Sequence, residues 1–358
     1  MITVTTIWLD AMTSKQGTLL SIIAKELKLL GYDVLLTCRD YEYTIGSIKR
    51  FGFEPVIVGS YGEGSGKEKV MQDIKRMKGL LDLLASLKVM PSVLVAYPNP
   101  PAARVAFGLG IKYVALTDSP HAVIPSRLSL PLADAIISSA AIPRYEIEKY
   151  AYRDGSEIYQ YEGVDELAWI LRSRPDKEYI TSVLNLKPFT YVVFRPHEYL
   201  ATYYSRKPSV NPVKVIKELS SLGYTIVLLP RYSTDRSIIK ELIGRGVNVK
   251  LIEGMYDGVS LVYFARAVIT GGATLAREAA LLGTLGITYF PFKLYVNDYV
   301  ASKGFPLYVV RSDDELIKLV TSKGTSYKED YIEHTSKLRT IFEDPLAIIL
   351  KVIRKIIS

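Results

Sequence analysis

The stretch Ala267-Val268-Ile269-Thr270-Gly271-Gly272-Ala273-Thr274-Leu275-Ala276-Arg277-Glu278-Ala279-Ala280-Leu281-Leu282-Gly283 reads as a strand that runs through two glycines into a helix. Glycines without a Cβ let the chain turn tightly and let a ligand come close to the backbone. The helix that follows opens with unpaired N–H groups and a partial positive charge, which suit a phosphate. Thr274 adds a hydroxyl. Glu278, four residues on, sits one turn further along the same helix face, where a carboxylate can accept bonds from two ribose hydroxyls. The competing reading is a strand–helix turn whose glycines serve packing alone. Gly271 and Gly272 together with Thr274 and Glu278 favour a pocket for a phosphate-bearing ligand.

Outward from this unit, strand patterns recur at 191–194, 225–229, 249–251, 285–289 and 307–310, with helical patterns between them. The first half repeats the theme, with strands at 4–9, 33–37, 54–58, 92–96, 112–116 and 135–137 and helices at 17–29, 43–51, 69–87 and 102–109. Residues 59–69 are Gly-rich and polar and read as a loop. Strand–helix–strand alternation implies right-handed crossovers and parallel sheets. The 358 residues suit two domains. The expected fold is therefore α/β, with two Rossmann-like, doubly wound parallel-sheet domains facing a cleft. A linker is expected near 161–165. The expected division is an N-terminal, acceptor-side domain at 1–163, a nucleotide-binding domain at 164–339, and a C-terminal helix at 340–358 returning to the first domain.

The net charge of +8 favours anionic partners, but the basic residues form no long run and no nucleic-acid motif is present, so nucleic acid is not expected as a partner. Cys38 is the lone cysteine, and His121, His197 and His334 are the three histidines, far apart in sequence. Neither a disulfide nor a Cys/His zinc site is expected. No DxD-type loop is seen; Asp313 and Asp314 are read as opening a helix with Glu315. The opening residues carry no basic stretch or small-residue cleavage pattern, so no signal peptide is expected, and no apolar run nears the ~20 residues of a membrane span. The expected location is cytoplasmic, with a peripheral contact at the inner face of the membrane as the second reading, because the segment 344–358 mixes apolar residues with Lys351, Arg354 and Lys355. A packing helix is the favoured reading of that segment.

Ile7-Trp8-Leu9-Asp10, the 102–110 run AARVAFGLG, Asp118-Ser119-Pro120-His121-Ala122, Leu130-Pro131-Leu132-Ala133-Asp134, Gly163-Val164-Asp165-Glu166 and Arg195-Pro196 resemble the archaeal DUF354 family over nearly the full length. That family is placed beside GT-B glycosyltransferases and non-hydrolysing UDP-N-acetylglucosamine 2-epimerases, and the 267–283 stretch resembles their nucleotide-binding end. The resemblance supplies a fold by analogy; the reaction has to be argued from sites.

It implies that Gly271, Gly272, Ala273 and Thr274 meet the diphosphate of a UDP-type nucleotide sugar and that Glu278 holds the ribose. Arg195, at the carboxyl end of the 191–194 strand, is expected to neutralise the diphosphate, with Arg231 a weaker candidate in the same role and His197 a second donor-phosphate candidate. Glu253 and Met255 are the expected base contacts. On the acceptor side stand Asp10, Ser14, Lys15, Gln16 and Arg127, with Lys15 a candidate phosphate contact and helix capping by Thr13 or Ser14 the alternative. His121 is expected to act as general base, oriented by Asp118 or replaced by it.

The function expected is metal-independent glycosyl transfer from a nucleotide-diphosphate sugar, with no cofactor, to an unknown acceptor, with a lipid-linked molecule or a glycan among the candidates. The helix dipole and basic side chains would stabilise the leaving diphosphate. The alternatives are a nucleotide-sugar 2-epimerase, which needs further carboxylates around the sugar, and a non-catalytic nucleotide-sugar-binding protein.

Overall fold

The computed structural model describes residues 5–62, 66–197, 209–231, 240–323 and 330–358. It divides into two compact units, one holding the residues up to Trp169 together with Phe342–Ser358, the other Ile170–Ile341.

The first unit is built on a parallel sheet of β1 (Thr6–Ala11), β2 (Asp33–Asp40), β3 (Val56–Ser60), β4 (Val93–Ala96), β5 (Lys112–Thr117), β6 (Ala135–Ser139) and β7 (Glu157–Tyr161), in the order β3-β2-β1-β4-β5-β6-β7. Ile7, Trp8 and Leu9 of β1 are fully buried, as expected of a central parallel strand covered on both faces. The chain builds β1, β2 and β3 in one direction and then returns to lay β4 on the other side of β1. The reversal between β1 and β4 opens the crevice at which such sheets bind ligands.

The helix Ser14–Leu29 starts under a Thr13 side-chain cap that accepts from the Gln16 N–H, and the Gln16 side chain reciprocates by accepting from the Met12 N–H at 2.7 Å. The helix Gly66–Ala85 begins earlier than its apolar pattern suggests. Val4 of the expected first strand and residues 63–65 of the expected loop lie outside the described residues.

Strand β7, directly before the linker expected near 161–165, was not anticipated from the sequence. Glu157, Tyr159 and Gln160 make it too polar to stand out, yet it pairs along β6 from Glu157 to Tyr161. The last helix, Pro345–Ile357, is capped by Asp344, buries Leu346, Ile349, Val352 and Ile353, and packs on β4, β5, β6 and β7 and on the helix Ser14–Leu29.

The second unit carries β8 (Tyr191–Arg195), β9 (Thr225–Leu228), β10 (Val249–Leu251), β11 (Ala267–Thr270), β12 (Leu285–Thr288) and β13 (Leu307–Val309), all parallel, in the order β10-β9-β8-β11-β12-β13. Val192, Phe194, Ile226, Leu228, Ile269 and Ile287 lie in its core. The strand order reverses between β8 and β11. The helix Thr274–Leu281 lies close on β12 because Gly286 has no side chain there: a Cβ on Gly286 would come within 2.1 Å of the Ala276 carbonyl oxygen.

Candidate functional site

In the second unit the stretch 267–283 runs directly onto the reversal point. Thr270 pairs with Arg195 across β11 and β8. The turn beyond them is clamped by three bonds: the Gly271 N–H donates to the Arg195 carbonyl at 3.0 Å, the Gly272 N–H to Thr270 Oγ1 at 3.0 Å, and Thr288 Oγ1 to the Gly272 carbonyl at 2.6 Å. A Cβ on Gly271 would sit 2.3 Å from the Cβ of His197. This first glycine therefore lets the segment after β8 lie against the turn, which is the packing role. Gly272, Ala273 and Thr274 are partly exposed.

The helix Thr274–Leu281 begins after Ala273 with no side-chain cap, so no capping side chain takes the N–H groups of its first turn, the groups by which helix starts can bind anions. Arg231 donates from Nε to the Pro196 carbonyl at 2.9 Å, and its Nη2 comes within 3.2 Å of the position a Gly272 Cβ would take. The residue that sequence reasoning ranked below Arg195 thus has its guanidinium at the turn itself. Arg195 is almost fully buried at the end of β8. Arg277, which sequence reasoning passed over, lies buried beneath the helix start and donates to Asn297 Oδ1 at 2.9 Å and to Thr274 Oγ1 at 3.5 Å.

Glu278 is 7% exposed, and its Oε1 lies 3.9 Å from the ideal Cβ position of Gly258, where the Asp257-capped helix Gly258–Tyr263 begins. Glu253 and Met255 stand on the exposed loop after β10, Met255 at 62% exposure.

The first unit uses the expected acceptor-side residues differently. Asp10 is fully buried. Arg76 Nη2 donates to its Oδ1 at 2.5 Å, and Thr37 and Asn99 donate to its two oxygens. Asp10 is an internal anchor that draws the helix Gly66–Ala85 onto the sheet through Arg76, with no surface left for a ligand. Burial of the Cys38 thiol first, and then the Asp10 charge near it, push that thiol up to about 12. Gln16 is occupied at the helix start, as described, and Ser14 is the partly exposed first residue of that helix.

Lys15, expected as a phosphate contact, is engaged by two carboxylates: its Nζ donates to Asp118 Oδ2 and, at 2.6 Å, to Asp165 Oδ2. The Tyr97 hydroxyl donates to Asp165 Oδ2 at 2.6 Å, the Tyr161 hydroxyl donates to Asp165 Oδ1, and Ser119 Oγ donates to Asp118 Oδ1 at 2.8 Å. Burial first, and then the neighbouring carboxylates, hold both phenols well above their ordinary pKa, so they remain donors. Lys15 and Asp118 were anticipated from the sequence and are brought together. Asp165, Tyr97 and Tyr161 were not, although Asp165 lies in the Gly163–Glu166 run; no local pattern joins Lys15 to a residue 150 positions away.

His121 is partly exposed in the turn after Asp118, and Arg127 is exposed on the short helix Val123–Ser129. Among the described residues no group of three or more His, Cys, Asp and Glu is placed to hold a metal ion, and no helix is long and apolar enough to cross a membrane.

An uncharacterized protein of Methanocaldococcus jannaschii is 27% identical over 305 residues, covering 83% of this chain and 85% of that protein. Among solved structures, the UDP-GlcNAc 2-epimerase of Neisseria meningitidis bound to UDP-GlcNAc aligns with a TM-score of 0.69 at 15% identity, covering 98% of this chain and 100% of the other. The UDP-GlcNAc 2-epimerase of Methanocaldococcus jannaschii, in complex with UDP-GlcNAc and UDP, gives 0.66 at 17% identity over 94% and 99%. TcCGT1 in complex with UDP gives 0.63 at 12% identity over 99% and 100%. At these identities the likeness is one of fold: two parallel-sheet α/β domains of GT-B-like type. The model of the family described as protein of unknown function DUF354 matches residues 5–358, and the chain belongs to that family.

Proposed function

We propose that the protein is an enzyme of nucleotide-diphosphate-sugar chemistry and that it transfers the glycosyl group. The observation that carries this reading is the uncapped start of the helix Thr274–Leu281 beside the β8–β11 reversal, with Arg231 held at the turn. In this reading the diphosphate oxygens take the N–H groups from Ala273 onward together with Arg231 and Arg195. Thr274 adds its hydroxyl, steadied by Arg277, and Glu278 accepts from the ribose. Glu253 and Met255 are the proposed base contacts. The fixed dipoles and guanidinium groups would stabilise charge on the leaving diphosphate, so turnover should persist in EDTA. His121 is the proposed general base, in a segment whose Asp118 is itself held by Lys15 and Ser119.

A second reading, 2-epimerisation of the nucleotide sugar, is supported by the Asp118–Lys15–Asp165 cluster, which adds a carboxylate to those anticipated, and by the solved 2-epimerases that share the fold.

A thermal-shift series with UDP, UDP-sugars and other nucleoside diphosphates tests the binding step. A ligand at a hundred times its dissociation constant adds about 2.7 kcal/mol of stability. The expected outcome is a rise in Tm with a diphosphate sugar, abolished by Glu278→Ala and reduced by Arg231→Ala. No shift with any nucleotide would overturn the proposal. NMR of the bound sugar nucleotide then separates the two reactions: epimerisation changes it without an acceptor, whereas transfer requires one.

A further inference from the structure

Arg277 lies in the first turn of the helix Thr274–Leu281 and is 2% exposed. A long side chain on a helix leans back toward the helix start. Its guanidinium donates there to Asn297 Oδ1 at 2.9 Å and to Thr274 Oγ1 at 3.5 Å. A guanidinium carries donors and no acceptor, so any group bonded to it must turn an acceptor toward it. Two orientations follow. The Thr274 hydroxyl, which accepts from Arg277, keeps its own hydrogen to give elsewhere. The Asn297 amide presents its oxygen to Arg277 and keeps its NH2 for another acceptor. Asn297 is 3% exposed, and its NH2 donates to no other described residue. A spare donor on so buried a side chain is left for an acceptor that comes from outside the protein.

The place of these side chains says which part of a ligand they meet. The helix Thr274–Leu281 packs against Gly258–Tyr263 and against Tyr295–Ser302. Glu278, the proposed ribose contact, has its Oε1 3.9 Å from where a Cβ of Gly258 would lie, on the first of these sides. Arg277 and Asn297 mark the second, because Tyr295–Ser302 follows β12 and leads to β13, away from β8. A nucleotide laid across the helix start with its ribose at Glu278 therefore carries its phosphates toward Asn297, the outer one last. We propose that Arg277 is a positioning residue that makes the Thr274 hydroxyl and the Asn297 amide donors to the outer phosphate of a nucleoside diphosphate. This rests on the nucleotide-binding reading of the site and adds to it the part that tells a diphosphate from a monophosphate. When the sugar's bond to that phosphate breaks, the electron pair stays on the phosphate oxygen, and donors fixed here meet that charge.

Calorimetric titration of the full chain with UDP, ADP and GDP, each against its monophosphate, tests the proposal. The wild type should bind one diphosphate at least about 10-fold more tightly than the matching monophosphate. Thr274→Val removes the hydroxyl at nearly constant shape. Asn297→Asp keeps the oxygen that accepts from Arg277 and replaces the NH2 with an acceptor. Arg277→Lys keeps the charge but replaces the fork with a point donor. Each should weaken the diphosphate about 10-fold or more and leave the monophosphate within about twofold, so the preference collapses. The free Thr274→Val and Asn297→Asp proteins should keep a Tm close to the wild type. A merely structural role would lower both affinities together. Equal losses for the two ligands, or a preference that survives in Thr274→Val and Asn297→Asp, would overturn the inference and leave the nucleotide site standing. A wild type that binds no diphosphate would overturn both.

Discussion

At the scale of single residues, the protein spends its buried charges on anchoring. Asp10 and Arg76 lie 66 positions apart and neutralise each other inside the first unit, with Asn99 and Thr37 satisfying the remaining oxygen sites. Cys38 shares that interior, fully buried, and its thiol is pushed up to about 12. Two outcomes follow. A thiol reagent at pH 8 should leave the native protein unmodified and react at once after denaturation. Between the ordinary thiol value of about 8.5 and 12, the folded state keeps a proton that the unfolded chain has lost, so stability should fall as pH rises through this window. Urea titrations of the wild type and Cys38→Ala at two alkaline pH values would show the steeper loss in the wild type. Equal slopes would mean that the thiol is not held protonated.

At the scale of elements, the docking of the helix Thr274–Leu281 on β12 joins stability to ligand binding. Gly286→Ala places a methyl group against the Ala276 backbone, so the helix must lift from the sheet. Overpacking of this kind costs about 1–3 kcal/mol, and it also displaces the N–H groups proposed to meet the diphosphate. The expected result is a lower Tm together with a weakened nucleotide response. Glu278→Ala, by contrast, should lose the response while largely keeping Tm. A Gly286→Ala protein with wild-type Tm would show that the helix can lie on β12 without this glycine.

The strand–Gly–Gly–helix order of 267–283 was legible because it is local: residue types and spacing dictate it within a few turns. Most strands were legible for the same reason, being short apolar runs in a parallel sheet buried on both faces. Strand β7 was not, because an edge strand needs only one covered face and Glu157, Tyr159 and Gln160 show no apolar run. The Asp165 cluster was illegible in a stronger sense. Residues 15, 97, 118, 161 and 165 meet only after β1, β4, β5 and β7 have been assembled, and the Asp165 partner of Lys15 is set by topology rather than by spacing.

At the scale of the whole molecule, the first unit is discontinuous in sequence: its sheet is completed by the helix Pro345–Ile357, which follows the entire second unit. Leu346, Ile349, Val352 and Ile353 are all buried there, and burying an aliphatic side chain contributes about 1.5–3 kcal/mol. A chain ending at residue 343 should therefore unfold its first unit at a markedly lower temperature, seen as two separated calorimetric transitions with the nucleotide-responsive one retained. A single transition at the original temperature would show that the helix contributes little. The same arrangement sets an order on the ribosome. Domains ordinarily mature from the N-terminus as they emerge, but here the leading half of the nascent chain waits with one side of β4, β5, β6 and β7 lacking this helix until translation has passed through the trailing half, so the unit made first is the one finished last.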